Sequence, residues 1–203
     1  MVSEHVDTAR RHLLTTTFPL ATVACLGCGS VAAQTLAPGS GGKFSQDTGM
    51  TAEETYAFFY GSFIPTLQSL AKSLGPERFI RELTKAASDN TGQTIAAMAK
   101  DLPARDLKAF SKLLKSILDA PPYNKALTYE VAEDNARVLE IKYTECLPAK
   151  LLRAMNAAEI GYALECAGSA AAAQAFNPKI EASNPKNLMK GDAYCVERFE
   201  LQA

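Results

Sequence analysis

Three cysteines and the carboxylates beside them are the residues of this chain best suited to chemistry. Glu145 directly precedes Cys146, Glu165 directly precedes Cys166, and Asp192 stands shortly before Cys195. A carboxylate buried near a sheet has a raised pKa and can serve as a base. A thiol acts as a nucleophile once a nearby cation lowers its pKa, and Lys150 or Lys142 would supply that charge. The only histidines, His5 and His12, lie at the N-terminus. From Leu13 onward no Ser-His-Asp or Cys-His site and no histidine-ligated zinc can therefore be assembled. The candidate catalytic set is Cys146, Cys166, Cys195, Glu145 and Asp192, with no cofactor and no metal expected. The plainer reading of each cysteine is a small buried apolar residue or, after export, a disulfide partner. Cys195 would then pair with Cys166 or with Cys146, leaving one thiol over.

The elements that must position these residues follow from composition and periodicity. The chain has 203 residues, 47% of them hydrophobic and 21% charged, enough apolar mass for one core. A formal net charge of −1 gives no global attraction to nucleic acid. Arg10-Arg11 precedes an uncharged, mildly apolar run from Leu13 to Val31 that ends in small residues. This layout predicts an export signal of the twin-arginine type over 1–33 and a periplasmic destination. A lipid-anchored form at Cys28 is the minor alternative, and the run is too interrupted for a membrane span. Residues 34–50, with Pro38-Gly39-Ser40-Gly41-Gly42, read as a linker. The folded domain is expected over 51–203.

Thr51-Ala52-Glu53-Glu54 reads as a capping box. Behind it Tyr56, Phe59, Tyr60, Phe63, Leu67, Leu70 and Leu74 recur at helical steps, with a kink expected at Pro65. Pro76 opens a second helix, a short alanine-rich one spans 91–100, and Pro103 opens a fourth bearing Leu107 and Phe110. The period then changes to two. Residues 126–146 read as a hairpin turning at Glu133-Asp134-Asn135. A short helix from Pro148 and a longer one from Ala157 to about Ala173, capped by Asn156, come next. Strands over 179–182 and 193–201 close the chain. The class is α+β: an N-terminal helical half, then two β-hairpins forming an antiparallel sheet around a helical pair.

Residues 137–201 resemble the L-2-amino-thiazoline-4-carboxylic acid hydrolase family. The resemblance is carried by Glu145-Cys146, Gly161, Cys166, Phe176-Asn177-Pro178, Leu188, Gly191-Asp192 and Cys195, followed by Arg198-Phe199. A more distant similarity is to 4-vinyl-reductase-type small-molecule-binding domains, which share the Gly-Asp-x-x-Cys ending. The first resemblance implies hydrolytic opening of a cyclic amidine ring to a carbamoyl-cysteine product, with a small molecule as partner. The alternative is an exported, non-catalytic binding protein of the same fold. Family members tend to carry an acidic residue three positions after the helical cysteine, where this chain has Ser169. They tend to have Asp after the last cysteine, where it has Val196. The zinc-binding vinyl-reductase-type domains use Glu and Cys in the loop that here holds Asn184 and Asn187, and two asparagines do not replace them. A hydrolase predicts carboxylates converging with a cysteine in a closed polar pocket; a binding module predicts an apolar cavity with cysteines paired or packed.

Overall fold

A computed structural model describes residues 49–203. The expected export signal and all but the last two residues of the expected linker lie outside the described residues.

Helix α1 (Ala52–Leu74) starts on the capping box: Glu54 N–H donates to the Thr51 hydroxyl, and Thr51 N–H donates to the Glu54 carboxylate at 2.8 Å. Pro65 lies within the helix without ending it. The buried line is narrower than the sequence stripe. Tyr56, Tyr60 and Ile64 stand one above another at four-residue steps and are buried, whereas Phe59, Leu70 and Leu74 are exposed. Helix α2 (Pro76–Ala99) is a single helix where the sequence suggests two. The weak stretch around Asn90-Thr91-Gly92 stays helical because it packs on a later helix. There a Cβ on Gly92 would lie 3.5 Å from the Ala171 carbonyl, so tertiary contact overrides local propensity. Helix α3 (Leu107–Leu118) starts later than Pro103, at an Asp106 cap that accepts from Ala109 N–H at 2.8 Å.

The sheet is four-stranded and antiparallel. Strands β1 (Leu127–Asp134), β2 (Val138–Cys146), β3 (Ile180–Lys186) and β4 (Cys195–Leu201) lie in the order β1-β2-β4-β3. Helix α4 (Leu147–Ala154) leaves β2 directly. The long helix expected after it is broken into α5 (Ala158–Gly161), a π-helical turn (Tyr162–Cys166) and α6 (Ser169–Phe176). Asn156 does not cap it; this residue takes a positive φ of 53° at the corner, and Ala157 precedes the helix.

Two apolar clusters result. One joins α2, α3 and α6 to the inner sheet face through Ile95, Phe110, Leu139, Ile141, Phe176 and Phe199. The other joins α1 to α4 and α5 through Tyr60, Ile64, Leu152 and Ile160. The outer sheet face is charged. On it Arg198 reaches Glu140 at 2.8 Å, Glu133 at 3.1 Å and Glu200 at 2.7 Å, tying three strands together.

Candidate active site

The seam between the two clusters collects the cysteines. Cys195 packs against the sheet cluster, and Cys146 and Cys166 pack against the α1 cluster. Cys195 opens β4, and the other two arrive by local irregularities. At the end of β2 the register skips Thr144: Tyr129 pairs with Tyr143, but Thr128 pairs with Glu145. Simple alternation would put Glu145 on the inner face with Tyr143, Ile141 and Leu139. The bulge reverses the last two residues. Cys146 therefore packs on the core, while Glu145 is exposed and accepts from the Thr128 hydroxyl.

Cys166 and Glu165 end the π-helical turn, where Ala167 N–H reaches back five residues to the Tyr162 carbonyl at 3.0 Å. Glycines frame that turn. A Cβ on Gly161 would lie 2.8 Å from Met189 Sδ, and one on Gly168 would lie 2.7 Å from Thr91 Oγ1. Neither neighbour could approach a larger residue so closely, and such a turn is a frequent mark of a functional site.

Two carboxylates meet the thiols here. Glu165 accepts from the Tyr60 hydroxyl at 2.9 Å. Glu197, on the inner face of β4, accepts from the Tyr143 hydroxyl at 2.7 Å through Oε2 and from the Ser169 hydroxyl through Oε1. Tyr60 is fully buried and Tyr143 nearly so. Burial first, and then the facing carboxylates, push both phenols well above their usual range. Tyr56, beneath Tyr60, is pushed up to about 12 by burial and by the charge of Glu165.

Burial pushes the Cys146 thiol up to about 12, with the charges of Cys195, Glu165 and Glu197 adding to it. It likewise pushes Cys166 well up and Cys195 up. A hydrogen bond opposes this at Cys195 without reversing it, Leu188 N–H donating to Sγ at 3.1 Å, whereas the Cys166 thiol itself donates to Asn187 Oδ1 at 3.9 Å. The cations expected to lower a thiol are engaged elsewhere. Lys150 pairs with Glu53 at 2.8 Å, and Lys142 pairs with Glu130 at 2.7 Å. All three cysteines are free, so neither expected disulfide is formed. The site thus presents protonated thiols, which are poor nucleophiles and poor metal ligands. Among the described residues no group of three or more His, Cys, Asp or Glu is arranged to hold a metal ion.

The structure brings Cys146, Cys166 and Cys195 together and leaves Glu145 and Asp192 at the margin. Asp192 is exposed and accepts from Asn187 N–H at 2.7 Å, closing the loop that carries Asn187. Asn187 in turn accepts from Met189 N–H at 2.8 Å and faces Cys166, so Asp192 acts on the thiols through the loop. Its charge adds to the upward shift of Cys195. The carboxylate that sequence reasoning missed is Glu197. The alternation of Cys195, Glu197, Phe199 and Leu201 was the signal for it, since these share one strand face. Ser169, which stands where family members tend to carry an acidic residue, is its hydrogen-bond donor.

One polar atom remains unanswered. Asn184 Nδ2 donates to the Cys166 carbonyl at 3.4 Å, while the buried Asn184 Oδ1 has no partner. Asn184 and Pro185 form a bulge in β3 opposite Glu197, between the Ser183–Arg198 and Lys186–Val196 pairs.

A search among curated proteins gives no match to the chain. The profile of the L-2-amino-thiazoline-4-carboxylic acid hydrolases matches residues 54–199, which takes in the helical half as well as the cysteine-bearing half. With nearly all of α1 and of the sheet, the π-helical turn and all three thiols inside that match, the chain belongs to the L-2-amino-thiazoline-4-carboxylic acid hydrolase family.

Proposed function

We propose that the protein hydrolyses a cyclic amidine of the thiazoline type, 2-amino-thiazoline-4-carboxylate or a close relative, to a carbamoyl-cysteine product. The observation that carries this reading is the placement of Glu197 beside all three protonated thiols, with Glu165 reaching Cys146 from the α1 side. Two carboxylates attract the amidinium group of such a ring and can take a proton from water. In the reaction, the water oxygen bonds to the amidinium carbon between nitrogen and sulfur, the carbon–nitrogen π pair passes to the protonated ring nitrogen, and a carboxylate takes one water proton. The carbon–sulfur bond then breaks, the sulfur leaves as a thiol with the proton that the carboxylate returns, and the remaining hydroxyl proton passes to solvent as the carbamoyl carbonyl forms. Neutral cysteines do not compete with water for that carbon. The unanswered Asn184 Oδ1 suits a ligand rich in N–H donors, because a buried acceptor left unpaired costs about 1–3 kcal/mol.

The test is incubation of the full chain with L-2-amino-thiazoline-4-carboxylate, followed by mass spectrometry for carbamoyl-cysteine. Product should accumulate in proportion to protein. Absence of product at high protein concentration, with the circular dichroism of a folded chain, would sink the reading. Retained calorimetric binding in that case would leave the non-catalytic binding module.

A further inference from the structure

We propose that Glu197 is the general base of this site and that Ser169 and Tyr143 are its positioning residues. The assignment rests on the hydrolytic reading above and names the group that performs its proton transfer.

Four carboxylates are candidates, and geometry separates them. Glu145 and Asp192 are exposed, the first paired with Thr128 and the second with the Asn187 backbone. Glu165 lies on the α1 side of the seam, and its charge raises Tyr56, Tyr60 and Cys146. Glu197 lies at the centre: its charge raises Tyr143 and all three thiols, which arrive from β2, the π-helical turn and β4. A group placed to reach a ring held among those thiols must occupy that shared position.

The carboxylate is also held still. Each oxygen accepts from one hydroxyl, Oε1 from Ser169 on α6 and Oε2 from Tyr143 on β2. Two anchors from two elements fix the carboxylate plane, and each oxygen keeps lone-pair capacity for a water proton. Opposite it in β3, Pro185 has no N–H to offer, so this stretch of the ladder is interrupted where the carboxylate sits.

Glu197 carries one of the two water protons. It accepts that proton as the water oxygen bonds to the amidinium carbon and the carbon–nitrogen π pair passes to the protonated ring nitrogen. It returns the proton to the sulfur as the carbon–sulfur bond breaks, and the second water proton passes to solvent as the carbonyl forms. No oxidant or reductant is consumed.

The experiment compares kcat and KM for L-2-amino-thiazoline-4-carboxylate in the full chain and in Glu197→Gln, Ser169→Ala and Tyr143→Phe. Glu197→Gln should lose about 100-fold or more in kcat, the usual worth of a general base, with KM within about threefold. Ser169→Ala and Tyr143→Phe should lower kcat by less, again with little change in KM. Formate should restore part of the rate in Glu197→Ala, which loss of a purely structural carboxylate would not allow. Wild-type-like kcat in Glu197→Gln, or unchanged kcat in both hydroxyl variants, overturns the assignment while leaving the hydrolytic reading intact. A wild-type protein without turnover overturns both. Should Glu197→Gln fail to fold, the two hydroxyl variants decide.

Discussion

At the scale of single residues, the site is governed by groups that stay neutral. Alkylation of the three cysteines by iodoacetamide should be slow at neutral pH and should accelerate only well above pH 9, because the thiolate is the reacting form and burial disfavours it. Mass spectrometric counting of labelled cysteines against pH checks this; full labelling within minutes at pH 7 would contradict it. Tyr60→Phe removes the hydroxyl that donates to Glu165 and should destabilise the fold by about 1–3 kcal/mol, read as a lower urea midpoint. The sequence pointed to the thiols and to Glu145, and the structure places Glu145 outside the group that the thiols form, for a definable reason. Adjacency along the chain favours Glu145, whereas adjacency in space depends on strand parity. One skipped residue, Thr144, is enough to turn Glu145 outward. Glu197 carried no adjacency signal, and only its place in the alternation of β4 would have revealed it.

At the scale of elements, periodicity read well where packing follows a single rule. The capping box of α1, the β1–β2 hairpin and the short helix after Cys146 all stand near their expected limits. It read poorly where a glycine serves a neighbour rather than its own segment. Residues 157–173 look like one alanine-rich helix, yet Gly161 and Gly168 let Met189 and Thr91 in, and the helix gives way to the π-helical turn that carries Glu165 and Cys166. Gly161→Ala tests this arrangement. Its Cβ would lie 2.9 Å from Leu152 Cδ1 as well as against Met189, and Leu152 is fully buried. Overpacking of this kind costs about 1–3 kcal/mol. The larger effect should fall on the turn Leu188–Lys190, whose Leu188 N–H donates to Cys195. A drop in urea midpoint with faster alkylation of Cys195 is the expected result. A midpoint and labelling rate equal to wild type would show that the turn does not depend on the glycine.

At the scale of the whole molecule, compartment and chemistry meet in the oxidation state of the thiols. We propose export through residues 1–33: a reporter fused after this segment should leave the cytoplasm, and replacing Arg10 and Arg11 by Lys should retain it. After such export, three free thiols would be protected from oxidation by the same burial that keeps them protonated, since the thiolate is what oxidises. That protection has a thermodynamic counterpart. Folding raises Cys146 from the usual 9.0 to about 12 and Tyr56 from 10.0 to about 12, and it raises Cys166, Tyr60 and Tyr143 as well. Between these limits the unfolded chain has released protons that the folded chain still holds, so the slope of unfolding free energy with pH is negative. The stabilisation is fully present below pH 9, where both states are protonated, and is lost as pH rises toward 12. Urea midpoints should therefore be flat from pH 7 to 8.5 and fall progressively beyond 9. The variant with Cys146, Cys166 and Cys195 all changed to Ser should lose the first part of that decline, because the thiols titrate before the phenols. A midpoint that held level through pH 11 in the wild type would mean that these groups are solvated in the folded state, and burial would not be what keeps the thiols of the site protonated.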